Sequence, residues 1–246
     1  MKTKIQVVLL IVGIFWLAGC DKTNESPEGV SLKMKAVTSS STINGRANAS
    51  GLVFSQILLG VRELEFETLE EDDQEDIDDV IDGENGDGED DTEEIEFEGS
   101  FIVDLINGTS TPDFGTAGIQ PGLYEEIEIE MGPVLADGNT VFIAFKYKPT
   151  GGDSVRVEFS TQEEIEFEIE NAAGYQLDAN TLTNLLVLLD LDTLFSLVDL
   201  SQAAVDEDGV IRINDTSNSA IAQQILASLE NSCDAGEDDN DDGDID

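Results

Sequence analysis

The feature that most constrains this chain is an alternation of glutamate with apolar residues. After the turn-forming run Pro121-Gly122-Leu123-Tyr124, residues Ile127, Ile129 and Met131 alternate with Glu126, Glu128 and Glu130. A period of two sends successive side chains to opposite faces of a strand. Such a stretch buries its apolar side in a sheet and leaves its carboxylates in water. The same grammar recurs elsewhere. Val30, Leu32, Met34 and Ala36 oppose Ser31, Lys33 and Lys35, and 52–68 reads as one strand region, or two with a bend at Gly60, in which Leu64 and Phe66 alternate with Glu63, Glu65 and Glu67. Further strands are predicted at 95–97, 101–106, 141–147, 155–159, 165–169 and 209–213, with Asn107-Gly108, Gly138-Asn139 and Gly151-Gly152 as turns. Several short strands between glycine-bearing turns predict an antiparallel sandwich or barrel. The outward glutamates read as a solvated face that discourages edge-to-edge association.

The most apolar internal stretch is 182–200, where 185–191 suits a fully buried strand and 193–200 a helix capped by Asp192. Residues 219–229 predict a short helix, capped by Ser217 or Asn218, with Ile221, Ile225, Leu226 and Leu229 as its apolar stripe. That helix is expected to cover one end of the sandwich. Between strands, residues 70–94 contain 16 acids in 25 positions, with Gly83, Gly86 and Gly88 among them. Such a segment buries too little surface to offset its ordering entropy and is expected to be a disordered acidic loop.

The first twenty residues have a different logic. Lys2 and Lys4 precede an apolar run of about a dozen residues, short of the roughly 20 a membrane-spanning helix needs. Leu17, Ala18, Gly19 and Cys20 then read as a bacterial lipobox, which predicts cleavage before Cys20 and lipidation of its thiol. Residues 21–29 are polar and serve as a tether. The expected address is the cell envelope, with the outer membrane or cell surface favoured. Asp21 would instead specify inner-membrane retention under enterobacterial sorting rules.

Charge narrows the function. The chain has 11 basic and 55 acidic residues, a net charge of −44 at pH 7. Such a surface repels nucleic acid and anionic lipid headgroups and attracts cations. Nucleic acid is therefore excluded as a partner, and the lipid alone would hold the chain to a membrane. No histidine is present, which removes Ser-His-Asp and Cys-His catalysis and histidine-based metal sites. No phosphate-binding or nucleophile-elbow motif takes their place. With Cys20 committed to lipid, Cys233 has no intrachain partner; it lies in a polar segment expected to be exposed, where acidic neighbours raise a thiol pKa.

One motif has metal-ligand spacing. Asp238, Asn240 and Asp242 followed by Gly243 match the opening of a calcium loop, with Asp244 and Asp246 as further oxygen donors and Ile245 at an apolar position. Calcium takes six to eight hard oxygens, and glycine lets the loop turn back sharply. The match covers nine residues, 238–246, and does not include the bidentate acid of the twelfth position, so a complete EF-hand is not expected. The match resembles the aspartate-rich repeats of thrombospondin type 3 and dockerin-like segments, and the alternative is a solubilising tail.

The segment 52–191 resembles an uncharacterised family of bacterial lipoproteins. The likeness rests on the strand at 57–66, on Val103-Asp104-Leu105, on the turn Pro121-Gly122-Leu123-Tyr124 entering Glu125-Glu126-Ile127, and on Leu189-Asp190-Leu191-Asp192. It implies a transthyretin-type sandwich and adds no activity. The chain departs from that pattern by its acidic insertion, by Glu126 and Glu128, and by its C-terminal helix and tail.

The expected fold is therefore mainly β, an antiparallel transthyretin- or immunoglobulin-like sandwich. Its expected parts are a leader (1–19), a tether (20–29), a sandwich domain (30–215) with an acidic insertion (70–94), a C-terminal helix (216–232) and an acidic tail (233–246). The expected function is a non-catalytic, lipid-anchored binding module that can respond to calcium and engage an envelope protein or glycan. The alternatives are a carboxylate-dependent glycan hydrolase and a structural envelope component.

Overall fold

A computed structural model describes residues 29–38, 51–68, 95–118, 121–178 and 181–245. The lipobox, the tether up to Glu28, the acidic insertion 70–94 and Asp246 lie outside these residues. The described strands are, in chain order, β1 (Gly29–Val37), β2 (Val53–Thr68), β3 (Ile95–Glu96), β4 (Phe101–Asp104), β5 (Thr109–Thr111), β6 (Thr116–Ala117), β7 (Gly122–Met131), β8 (Val141–Tyr147), β9 (Val155–Thr161), β10 (Ile165–Leu177), β11 (Leu182–Asp190), β12 (Val210–Ile213) and β13 (Cys233–Glu237). Two α-helices accompany them, α1 (Leu191–Leu194) and α2 (Ser219–Leu229). The chain is mainly β and forms two sheets, as its alternation predicts.

The large sheet has the order β10-β7-β2-β8-β9-β12, and β2 is its spine. The first half of β2 pairs with β8 and the second half with β7, both antiparallel. Strands β9 and β10 continue the pattern outward against β8 and β7. Two β-bulges in β2, after Phe54 and after Val61, explain its mixed parity. Inward residues shift from Leu52 and Phe54 to Ile57, Leu59 and Val61, then back to Leu64 and Phe66. Each extra residue flips the following side chains to the opposite face, and the polar doublets Ser55-Gln56 and Arg62-Glu63 mark where this happens. β2 runs through Gly60 as one strand; Gly60 donates its N–H to Thr140 O (2.8 Å), and a Cβ there would sit 2.6 Å from Gly132 O.

The small sheet has the order β13-β11-β1-β6. Here the pairing departs from a purely antiparallel sandwich. Strands β1 and β11 are parallel over nine residues, from Gly29↔Leu182 to Val37↔Asp190, and β12 joins β9 in parallel. Parallel neighbours need a crossover, and the domain between residues 38 and 181 supplies it for β1 and β11. Val30, Leu32, Met34 and Ala36 from β1, with Leu185, Val187 and Leu189 from β11, face the core shared with the large sheet.

Helix α1 is one turn and starts earlier than the sequence suggests. Asp190, not Asp192, is its cap, accepting from the Asp192 N–H (2.9 Å) and the Thr193 hydroxyl (2.8 Å). Phe195 then packs with Phe54 and Phe145, with ring centroids 5.1–5.5 Å apart. Helix α2 has the predicted bounds and buries Ala222, Ile225 and Leu229. Asn218 precedes it in a left-handed conformation and makes no capping bond; its side chain ties Ala204 and Arg212 instead.

The tail is ordered through its first half. Residues 233–237 form β13, antiparallel to β11, and Cys233 packs against the core rather than standing exposed. Burial, ahead of the charges on Asp234 and Glu230, pushes its thiol up to about 12. Ile245 returns over Gly236, where a Cβ would lie 2.3 Å from its methyl group. Gly236 is the register partner of Leu186, which is 1% exposed although it points away from the core. An apolar residue in an acidic tail thus lies beside the outer face of the small sheet.

Candidate cation-binding face

Three strands of the large sheet carry the same five-residue pattern, Glu63 to Glu67, Glu126 to Glu130 and Glu166 to Glu170. Their inward residues, Leu64 and Phe66, Ile127 and Ile129, and Phe167 and Ile169, are all buried. Burial of that layer fixes which way each strand faces, because a slip of one residue would expose the apolar set. The register then aligns the outward side chains in rows. Glu63, Glu130 and Glu166 form one row, Glu65, Glu128 and Glu168 the next, and Glu67, Glu126 and Glu170 the third. Nine glutamates thus form a three-by-three lattice on one face, and β3 adds Glu96 opposite Glu65 in the backbone register.

Like charges directly across a strand pair destabilise a sheet. The lattice accepts that arrangement at every position. Burial, then the charges of Glu168, Glu67 and Glu170, holds the Glu126 carboxyl above the usual carboxylate range. Burial, then Glu166, Glu67, Glu168 and Glu126, does the same for Glu128. At one margin Arg62 pairs with Glu164 (3.2 Å), its stem lying across Gly132, where a Cβ would meet it at 2.2 Å.

Within the lattice two triads converge. Carboxylate oxygens of Glu65, Glu67 and Glu128 lie within 4.8 Å of one another, as do those of Glu126, Glu168 and Glu170. The first triad is half-buried; in the second, Glu126 is half-buried and the other two are exposed. Hard oxygens from adjacent strands at this spacing suit calcium, which tolerates flexible geometry and completes its shell with water.

The aspartate motif is built differently. Asp238, 2% exposed, accepts from the N–H groups of Asp242 (3.0 Å) and Gly243 (3.2 Å). Asn240 also accepts from Asp242 N–H (3.0 Å), and Asp242 accepts from Asp244 N–H (3.0 Å). Asp241 pairs with Lys33, which holds its carboxyl below the usual range, and Lys35 donates to Gly243 O (3.4 Å). Gly243 has φ +84°, and a Cβ there would meet Lys35 Nζ at 2.3 Å. The structure thus gathers Asp238, Asn240, Asp242 and Asp244 into one turn but engages oxygens of the first three with the chain's own backbone. The converging carboxylates among the described residues are the glutamates, which the sequence presents as a solvated face.

The tyrosines are packing residues. Tyr124 and Tyr175 are each 1% exposed, and Tyr175 Oη donates to Ala235 O (3.4 Å) across the two sheets. A cleft of about 420 Å3 lies between the β9–β10 turn and α2. It holds two acids, Glu163 and Asp215, and its walls are amides, hydroxyls and aliphatic groups. No family model, curated protein or solved structure matches the chain.

Proposed function

We propose that this protein is a non-catalytic binding module, held to the cell envelope by lipid on Cys20, whose glutamate face takes up calcium and engages cationic groups of envelope partners. The observation that carries this reading is the convergence of carboxylates from three neighbouring strands into two triads. A face of like charges gains free energy from any multivalent cation that binds it, and a ligand bound to the folded state raises stability by mass action. The address rests on the lipobox, with the outer membrane or cell surface as destination, and kinship with envelope lipoproteins belongs to the same reading. The aspartate turn is the alternative place for calcium, since it gathers Asp238, Asn240, Asp242 and Asp244. A hydrolase is the weaker alternative, because the cleft that holds Glu163 and Asp215 offers no aromatic wall for a sugar ring.

Calcium titration of the purified protein in detergent, read by calorimetry and thermal melting, tests the metal claim. Binding at millimolar calcium is expected, with a raised melting temperature. Replacing Glu65, Glu67 and Glu128 by glutamine is expected to remove most of the shift, and Asp242→Asn to leave it. No heat and no shift at millimolar calcium would sink the proposal. The opposite dependence on the two variants would move the site to the tail. Membrane fractionation of a Cys20→Ser variant tests the anchor, with release from the membrane as the expected result.

A further inference from the structure

We propose that the cleft beside α2 is a binding site for a small hydroxylated amine of amino-sugar or amino-alcohol kind. None of its lining residues belongs to the glutamate lattice, although the β9–β10 turn on its rim leads into Glu166. Its frame is tied down. Asn214 Oδ1 accepts from Thr216 N–H, the Thr216 hydroxyl and Ser217 N–H at 2.8–3.0 Å, which fixes the β12–α2 connection and displays Asp215. Thr161 Oγ1 accepts from Glu163 N–H (3.1 Å), and Gln162 donates to Asp137 O (2.8 Å), which fixes the opposite rim.

Against this held frame, five lining side chains are uncommitted. Ser160, Glu163, Asp215, Ser219 and Gln223 line the cleft and make no side-chain hydrogen bond or ion pair to any described residue. A concavity of roughly 300–1,000 Å3 that sets a few polar groups beside apolar surface is the usual form of a small-molecule site. Ala222 and Leu226 give it an apolar floor. The chemistry of the free groups selects the ligand. Two hydroxyls and an amide both donate and accept, which suits a ligand carrying hydroxyls. Two carboxylates with no lysine or arginine in the lining suit a cationic amine, and the net charge of −44 draws such a ligand in and repels anions.

Isothermal titration of the purified protein in detergent with glucosamine, glucose and glucuronate tests this. Glucosamine is expected to bind, glucose about tenfold more weakly, since a charge-assisted hydrogen bond is roughly twice as strong as a neutral one, and glucuronate not at all. The pair Glu163→Gln with Asp215→Asn, both exposed and nearly isosteric, is expected to bring glucosamine down to the level of glucose. Gln223→Trp, at an exposed position of α2, is expected to remove both while the melting curve stays cooperative. Glutamine substitutions at Glu65, Glu67 and Glu128 are expected to leave glucosamine binding unchanged, which separates this site from the cation face. Absence of glucosamine binding at millimolar concentration overturns the proposal. So does equal binding of glucuronate, and so does glucosamine binding that is lost in the lattice variant and kept in the cleft variants.

Discussion

On the large sheet, the carboxylates of Glu126 and Glu128 meet other carboxylates; on the small sheet, those of Asp238 and Asp242 meet backbone N–H groups, and Asp241 meets Lys33. The two regions share a composition and differ in partners. A carboxylate that accepts two N–H groups is satisfied where it stands, and it stabilises the turn that supplies them. A carboxylate facing its own kind is tolerated only because the apolar residues beneath it are worth more than the repulsion above. The density of acidic residues therefore says little about cation affinity. What their oxygens already bond to says more.

The comparison is most severely tested from below. Ile129, fully buried under the middle row of glutamates, is part of the layer that holds the lattice in register. Ile129→Ala is expected to cost about 2–5 kcal/mol, the range for removing a buried aliphatic chain, measured by urea unfolding. A much smaller loss would mean that the glutamate rows are not maintained by this core.

Next in size is the turn. Asp238→Ala removes the acceptor of Gly243 N–H and one of the two acceptors of Asp242 N–H, and it is expected to cost about 2 kcal/mol, as hydrogen bonds to a charged group do. Asp238→Asn keeps one acceptor oxygen and is expected to lose about half of that. Equal losses in the two variants would show that side-chain bulk, not hydrogen bonding, is what Asp238 contributes.

The lattice is expected to respond with the opposite sign. Glu126→Gln with Glu128→Gln removes like charges and is expected to raise stability by up to about 1 kcal/mol, with a weaker response to added salt. Loss of stability would mean that the two carboxylates are paired in a way the registers do not reveal.

The smallest effect is in pH dependence, where the two regions should diverge. The folded state holds the Glu126 and Glu128 protons more tightly than the unfolded chain, so their contribution favours folding below the ordinary glutamate value of 4.5 and fades as pH rises through the elevated folded values. For Asp241 the folded value is depressed, so its contribution is present above the ordinary 3.8 and fades as pH falls through the lower folded value. Unfolding followed from pH 7 to pH 3 should show the double glutamine variant falling less with rising pH than the parent. Lys33→Met should show the acid-side loss reduced. Parallel profiles for parent and both variants would erase the distinction.

The outward glutamates were legible as outward. Runs such as Glu63 to Glu67 leave no other way to bury Leu64 and Phe66. Their neighbours were not legible, because three copies of one short pattern do not say which strands lie side by side. The bulges in β2 were half-visible, as polar doublets that break the alternation. β13 was hidden, since Cys233-Asp234-Ala235-Gly236-Glu237 has little strand propensity and pairs because β11 offers an open edge. The aspartate motif was found by spacing, but spacing could not show that backbone N–H groups take up its carboxylates.

By itself, then, the sequence determined the mainly-β class, the inward faces of the alternating strands and the helix at 219–229. These follow from local periodicity and capping, which act over a few residues. Tertiary structure alone decided the parallel pairing of β1 with β11, the rows of the glutamate lattice and the cleft beside α2. Each of these brings together segments separated by tens of residues or more. Their contacts are set by how the two sheets share one core, and no short stretch of sequence carries that information.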